Sequence, residues 1–286
     1  MTPLAKSTKM SPSLSYKRAK TMSYRFLIYE VKSSVARITL NRPRAGNVLN
    51  ESLAQELRDV CNQVNQDTNV RVVVLSGAGN KAFCLGNELE HSFQKKVNKL
   101  KSLHRIQDFL ARYSVASSIA NINCPVIAAA NGDALGQGLE LALACDLRIS
   151  TTTSHFGFPY IASGLLPADG GTQRLPRLTN RGKSLELILS GDLIDSQGAL
   201  RIGLVNKIVP PAKLAAEVDH VASKIKERAP FALRFAKEAI NKGLDLTLEQ
   251  GLRLEADLYF LLHTTQDRTE GITAFRNKRV PRFQGK

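Results

Sequence analysis

Two short apolar runs constrain this chain more than anything else in it. Residues 70–75 are apolar apart from Arg71, and residues 125–130 are apolar throughout; each is then broken by a turn, Ser76-Gly77-Ala78-Gly79 and Asn131-Gly132. A strand that does not alternate with polar residues has no face to offer water, so both its sides must be covered. That is the signature of a buried strand. The flanking patterns agree. Residues 26–31 and 35–40 read as two strands joined at Lys32-Ser33-Ser34, a hairpin. Residues 50–66 read as a helix capped by Asn50, with Leu53, Leu57, Val60, Cys61 and Val64 at helical spacing. A helix ending near residue 120, a short helix over 136–145 and a strand over 146–150 follow.

Beyond Asp169-Gly170-Gly171 helical patterns dominate, at 182–190, 195–201, 211–228, 231–242, 247–264 and 267–278, with one strand at 204–209. Strands and helices mixed first and helices clustered last imply an α/β core, residues 22–210, and a helical region, 211–286, with Pro210-Pro211 at the seam. Residues 1–21 hold Lys6, Lys9, Lys17, Arg18 and Lys20, no acid and no apolar period. They read as a disordered basic tail. Such a tail also has the composition of an organellar import segment, although it lacks an amphipathic face. The expected location is cytoplasmic, with import left open.

Charge narrows the ligand. The 286 residues carry a formal net charge of +15, of which only five charges belong to the tail. A body this basic suits a polyanion, either nucleic acid or a multiply phosphorylated small molecule. The longest apolar run is six residues, far short of the roughly 18 a membrane span requires. Cys61, Cys84, Cys124 and Cys145 are more than 20 residues apart, and no two histidines stand four apart, so neither a disulfide framework nor a metal site is expected.

Familiar nucleotide and nucleophile motifs fail on inspection. Gly182-Lys183-Ser184 ends like a phosphate loop, but Arg177 stands where that loop needs glycine. Gly136-Gln137-Gly138 opens like a dinucleotide fingerprint, but Leu141 occupies the third glycine. What survives are two glycine turns after buried strands, Phe83-Cys84-Leu85-Gly86-Asn87 and Ala134-Leu135-Gly136-Gln137-Gly138, where main-chain N–H groups can approach a ligand. Glu140 lies in the apolar helix start that follows the second turn. A carboxyl in an apolar wall has a raised pKa, which suits proton transfer near neutrality.

These segments resemble a known family. The stretch from Asn131 through Gly138-Leu139-Glu140-Leu141-Ala142, then Cys145-Asp146-Leu147-Arg148, Phe156-Gly157-Phe158-Pro159 and Gly164-Leu165-Leu166-Pro167-Ala168-Asp169-Gly170-Gly171-Thr172-Gln173-Arg174-Leu175-Pro176 are similar to the enoyl-CoA hydratase/isomerase (crotonase) family. So are Leu40-Asn41-Arg42-Pro43, Lys81-Ala82-Phe83-Cys84-Leu85-Gly86 and Glu270-Gly271-Ile272-Thr273-Ala274-Phe275, and the likeness spans residues 24–284. The resemblance implies a spiral of ββα units with a helical C-terminal trimerisation region, assembled as a homotrimer or as a hexamer of two trimers. It implies a coenzyme A thioester as substrate and no separate cofactor. It also implies an oxyanion hole from the N–H groups of Leu85 and Gln137, and coenzyme A contacts at Arg44, Lys81 and Phe83, with Phe275 and Lys278 coming from a neighbouring subunit. Lys95, Lys96, Lys99 and Lys101 fall where the family has a lid.

The chain departs from the family pattern where chemistry is concerned. Hydratases of the family share acid/base work between two glutamates; the first is Glu140, but the second falls on Tyr160, a phenol with an ordinary pKa near 10. Nine residues on stands Asp169, where some relatives that isomerise dienoyl-CoAs or dehalogenate aromatic acyl-CoAs carry a working aspartate. Its plainer role is to cap the helix that begins beside it. The expected activity is therefore hydration or double-bond isomerisation of an enoyl- or dienoyl-CoA, with Glu140 and Asp169 moving protons and Tyr160 donating a hydrogen bond. Hydrolase, decarboxylase and dehalogenase variants remain open. So does RNA binding, which a relative performs through a lysine-rich helix; residues 50–66 here contain no lysine.

Overall fold

The computed structural model describes residues 22–88 and 111–286. The tail 1–21 and the lysines at 95, 96, 99 and 101 lie outside the described residues. Two sheets form the core. The first has seven strands in the order β1 (Met22–Ser23), β2 (Leu27–Lys32), β3 (Val35–Leu40), β4 (Val72–Gly77), β6 (Val126–Ala130), β8 (Leu147–Thr151) and β11 (Lys207–Val209). The hairpin comes first: β2 and β3 pair antiparallel from Leu27 opposite Leu40 to Lys32 opposite Val35. Ser33 and Ser34 turn the chain with φ of 49° and 65°, the double left-handed geometry that matches the twist of a two-residue hairpin. From β3 onward every neighbour is parallel.

The second sheet runs β10 (Ile194–Asp195), β9 (His155–Gly157), β7 (Asp133–Leu135) and β5 (Ala82–Cys84). Strands alternate between the layers: β4 then β5, β6 then β7, β8 then β9, each pair giving one strand to each sheet. This is the spiral of strand–strand–helix steps that the sequence leads one to expect. The second sheet itself is not visible in the sequence. Its strands are two or three residues long, too short for any period to show, and two of them, β5 and β7, run into segments that read as glycine turns.

Helices fill the remaining faces. α1 (Glu51–Gln66) is capped by Asn50, whose side chain accepts from the Leu53 N–H at 2.8 Å, and it buries Leu53, Ala54, Leu57, Val60, Cys61 and Val64 as the spacing predicts. α2 (Ala116–Ala120) packs beside it, and α3 (Gln137–Leu143) packs against α2 in turn. α4 (Gly171–Leu178), the helix expected beside Asp169, opens on glycine and contains Pro176. α5 (Arg181–Ser190) and α6 (Ser196–Arg201) lead to β11.

After the Pro210-Pro211 seam, α7 (Leu214–Lys226) lies on the outer face of β4, β6 and β8, where Leu214, Val218 and Ala222 close a second apolar cluster with Val72, Val74, Ile127 and Ile149. Strands β4 and β6 are thus covered on both sides, which is why their sequences do not alternate. α8 (Pro230–Gly243), α9 (Leu248–Leu262) and α10 (Gln266–Arg276) complete the chain. No helix among the described residues is long and apolar enough to cross a membrane.

Candidate active site

The site is built around the start of α3. Gly136 precedes it with φ 55° and ψ −129°, a conformation that side-chain-bearing residues avoid, and this sharp turn drops the chain from β7 directly into the helix. One residue on, a Cβ at Gly138 would stand 2.0 Å from the Cys84 carbonyl oxygen. Only glycine lets α3 approach the end of β5 so closely, and that approach brings the turn at 84–88 against the helix start.

Glu140 sits in the first turn of α3, 1% exposed. Its Oε1 accepts from the N–H groups of Asp169 and Gly171, both at 2.7 Å, and its Oε2 accepts from the Tyr160 hydroxyl at 3.1 Å. Burial pushes its pKa up to about 7, against the pull of the two amides and the phenol. A carboxyl poised near neutrality, with one oxygen held by main chain and the other facing a phenol, can take or give a proton at Oε2. Sequence reasoning brings Glu140 and Tyr160 together, and they do meet.

Asp169 is present too, but its carboxylate turns the other way. Oδ1 accepts from Ser114 Oγ at 2.6 Å. Oδ2 accepts from the N–H groups of Val115 and Ala116 at 2.9 and 3.0 Å and from Gln137 Nε2 at 2.9 Å. Those two amides are orphan donors of the first turn of α2, whose own residue at the cap supplies no side-chain bond. Asp169 is therefore the cap of α2, delivered from a distant segment. It does not cap α4, where Gly170 occupies the cap with no side-chain bond. Its own N–H, not its carboxylate, serves Glu140.

The expectation for Leu85 needs correction. Its N–H donates to the Gly46 carbonyl at 3.0 Å, so it is engaged by the protein. The next amide but one is placed differently. Leu49 and Asn87 form a parallel bridge in which the Leu49 N–H donates to Gly86 O and the Glu88 N–H donates to Leu49 O. In such a bridge the main-chain groups of Asn87 itself point away from Leu49. The Asn87 side chain reaches Gln137, donating from Nδ2 to Oε1 at 2.8 Å. Glu88 pairs with Arg42 at 2.6 Å. The Gln137 N–H belongs to the first turn of α3, where a helix supplies its donors with no internal acceptor.

Of the expected coenzyme A contacts, Arg44 and Lys81 are exposed, as are Phe275 and Lys278 at the C-terminal end. Phe83 is fully buried in the main apolar cluster, so its ring is core and cannot touch a ligand. Residues that sequence reasoning passes over are Ser114, which lies outside every motif, and the side chain of Gln137, considered there only for its amide.

The chain is similar to known proteins over most of its length. The sequence pattern of the family described as enoyl-CoA hydratase/isomerase matches residues 30–286. The chain is 38% identical over 266 residues to the crotonyl-CoA hydratase of Syntrophomonas wolfei, covering 93% of this chain and 100% of that protein. It is 38% identical over 253 residues to the short-chain-enoyl-CoA hydratase of Clostridium acetobutylicum, covering 88% of this chain and 95% of the other. Among solved structures, the enoyl-CoA hydratase of Bacillus anthracis superposes with a TM-score of 0.85 at 38% identity, over 92% of this chain and 100% of that one.

Proposed function

The chain belongs to the enoyl-CoA hydratase/isomerase family, and from that premise we propose that it transforms an enoyl-CoA thioester with Glu140 as the one carboxylate that moves protons. The observation that carries this is the contrast between the two carboxyls. Asp169 accepts four hydrogen bonds and caps a helix, whereas Glu140 keeps Oε2 beside a phenol at a pKa of about 7. A reaction complete with one base is a double-bond shift. Ionised Glu140 takes a proton from C2 of a 3-enoyl thioester, the electron pair moves onto the thioester oxygen, and the same carboxyl returns the proton at C4 to give the 2-enoyl thioester. The oxygen of the dienolate would lie between the N–H groups of Gln137 and Asn87, the latter in place of Leu85.

Hydration is a second reading with its own support. The relatives in Syntrophomonas wolfei and Clostridium acetobutylicum are hydratases by name, and a water held between Glu140 Oε2 and the Tyr160 hydroxyl can add its oxygen at C3 and a proton at C2. Incubation of matched 2-enoyl- and 3-enoyl-CoA in deuterium oxide separates the two. Deuterium at C2 and C4 with interconversion of the esters is the isomerase outcome; a 3-hydroxyacyl product is the hydratase outcome. Neither product and no exchange overturns both.

The remaining readings follow from the family. Arg44 and Lys81 offer exposed cations for the phosphates of coenzyme A, and Phe275 and Lys278 would be supplied by a neighbouring subunit of a homotrimer or hexamer. Exposed Ile240, Leu248, Phe260 and Phe275 on α8–α10 give that assembly an apolar face. We read residues 22–210 as the catalytic core, 211–286 as the assembling region, 1–21 as a separate tail, and the cytoplasm as the location.

A further inference from the structure

We propose that the side chain of Gln137, clamped between Asn87 and Asp169, is a positioning group that fixes the amides at 87 and 137 relative to the seat of Glu140. This rests on the oxyanion reading above. Gln137 is 3% exposed and both polar atoms of its amide are engaged. Nε2 donates to the Tyr113 carbonyl at 2.5 Å and to Asp169 Oδ2 at 2.9 Å, while Oε1 accepts from Asn87 Nδ2 at 2.8 Å. A carbonyl and a carboxylate only accept, so the amide can face in one sense alone.

The bonds tie three separate segments to one helix turn: the 84–88 turn through Asn87, the entry to α2 through Tyr113 and Asp169, and the 169–171 loop through Asp169. That last loop is also the one whose N–H groups at 169 and 171 hold Glu140 Oε1. One side chain therefore links the donors that would meet the thioester oxygen to the base that would meet its carbon. Fixing donors before charge develops is where an oxyanion hole gains its effect, since nothing has to reorganise in the transition state. A loose Asn87 segment would still bind coenzyme A, whose contacts lie elsewhere, but would polarise the thioester less.

The decisive readout needs binding and no turnover. An aryl-conjugated enoyl thioester such as cinnamoyl-CoA absorbs at longer wavelength as its carbonyl is polarised, so the red shift on binding reports the two amides directly. Wild type should show the shift. Gln137→Met, which keeps the length and loses the amide, should lose about half of it. Its kcat on an enoyl-CoA should fall roughly tenfold to a hundredfold, with KM within about threefold. Asp169→Asn can still accept at one atom from Val115, Ala116 and Gln137 and donate to Ser114, so it should rescue the shift that Asp169→Ala loses. Should Gln137→Met fail to fold, Asn87→Ala removes the outer bond alone and should show the same loss. Folded Gln137→Met or Asn87→Ala with the full shift and full kcat overturns the brace and leaves the oxyanion reading standing. A wild type that binds the thioester without any shift overturns both.

Discussion

Glu140 is the residue to which we assign the proton transfer, and its environment predicts its pH behaviour with a definite sign. Acting as a base, it must be ionised, so kcat/KM should rise with pH through a midpoint of about 7. Glu140→Gln should remove that limb of the profile and lower kcat by about a hundredfold to a thousandfold. The same shift bears on stability. In the unfolded chain the carboxyl titrates at its ordinary value of 4.5 and in the folded chain at about 7, so the folded state is the better proton binder between them. The stability this group contributes is complete below its unfolded pKa and is lost as pH rises through its folded one. Glu140→Gln lacks that loss, and in urea unfolding it should gain on wild type by roughly 3 kcal/mol between about pH 4 and pH 9. A constant difference between the two proteins across that range would contradict the buried, raised carboxyl.

At the scale of single elements, α2 and α3 each depend on something their own sequence does not show. α2 borrows its cap from Asp169, 53 residues away along the chain. Asp169→Ala leaves two buried amides without an acceptor, and should cost roughly 1–3 kcal/mol, with faster hydrogen exchange at residues 115 and 116. Asp169→Asn should cost much less. At α3, alanine for glycine inside a helix ordinarily helps by about 1 kcal/mol. At Gly138 the new methyl would meet the Cys84 carbonyl oxygen at 2.0 Å, and the clash wins. Gly138→Ala should unfold well below the wild-type temperature or fail to fold, as thermal melting would show.

The same elements mark what can be read from sequence alone. α1, β4 and β6 declare themselves because cap, period and apolar run are all local properties. Glu140 and Tyr160 are found because their positions follow recognisable motifs. Asp169 is found as a residue but its partners are not: the donors around its carboxylate come from residues 114–116 and 137, and nothing in its own loop points to them. Leu85 is expected as a free donor, yet its N–H is spent on the Gly46 carbonyl, a contact across 39 residues that its own turn does not announce.

At the scale of the whole molecule, the core is closed and the C-terminal helices are not. α7 is seated on the sheet, while Ile240 at 64% exposure, Leu248 at 80% and Phe260 at 71% carry apolar surface into solvent. Scattered apolar residues are ordinary on a surface; a run of them over α8 and α9 is the surface the proposed assembly would cover. Phe260→Asp with Leu248→Asp should shift the elution volume and sedimentation of the protein to that of a monomer, without loss of the circular dichroism of the core. An unaltered oligomer would place the subunit contact elsewhere. Finally, the clamp through Gln137 sets a rule of inheritance. A lineage that trades this glutamine for glycine takes one of four hydrogen bonds from Asp169 and slackens the turn at 87 in one step, so the three positions are expected to change in concert.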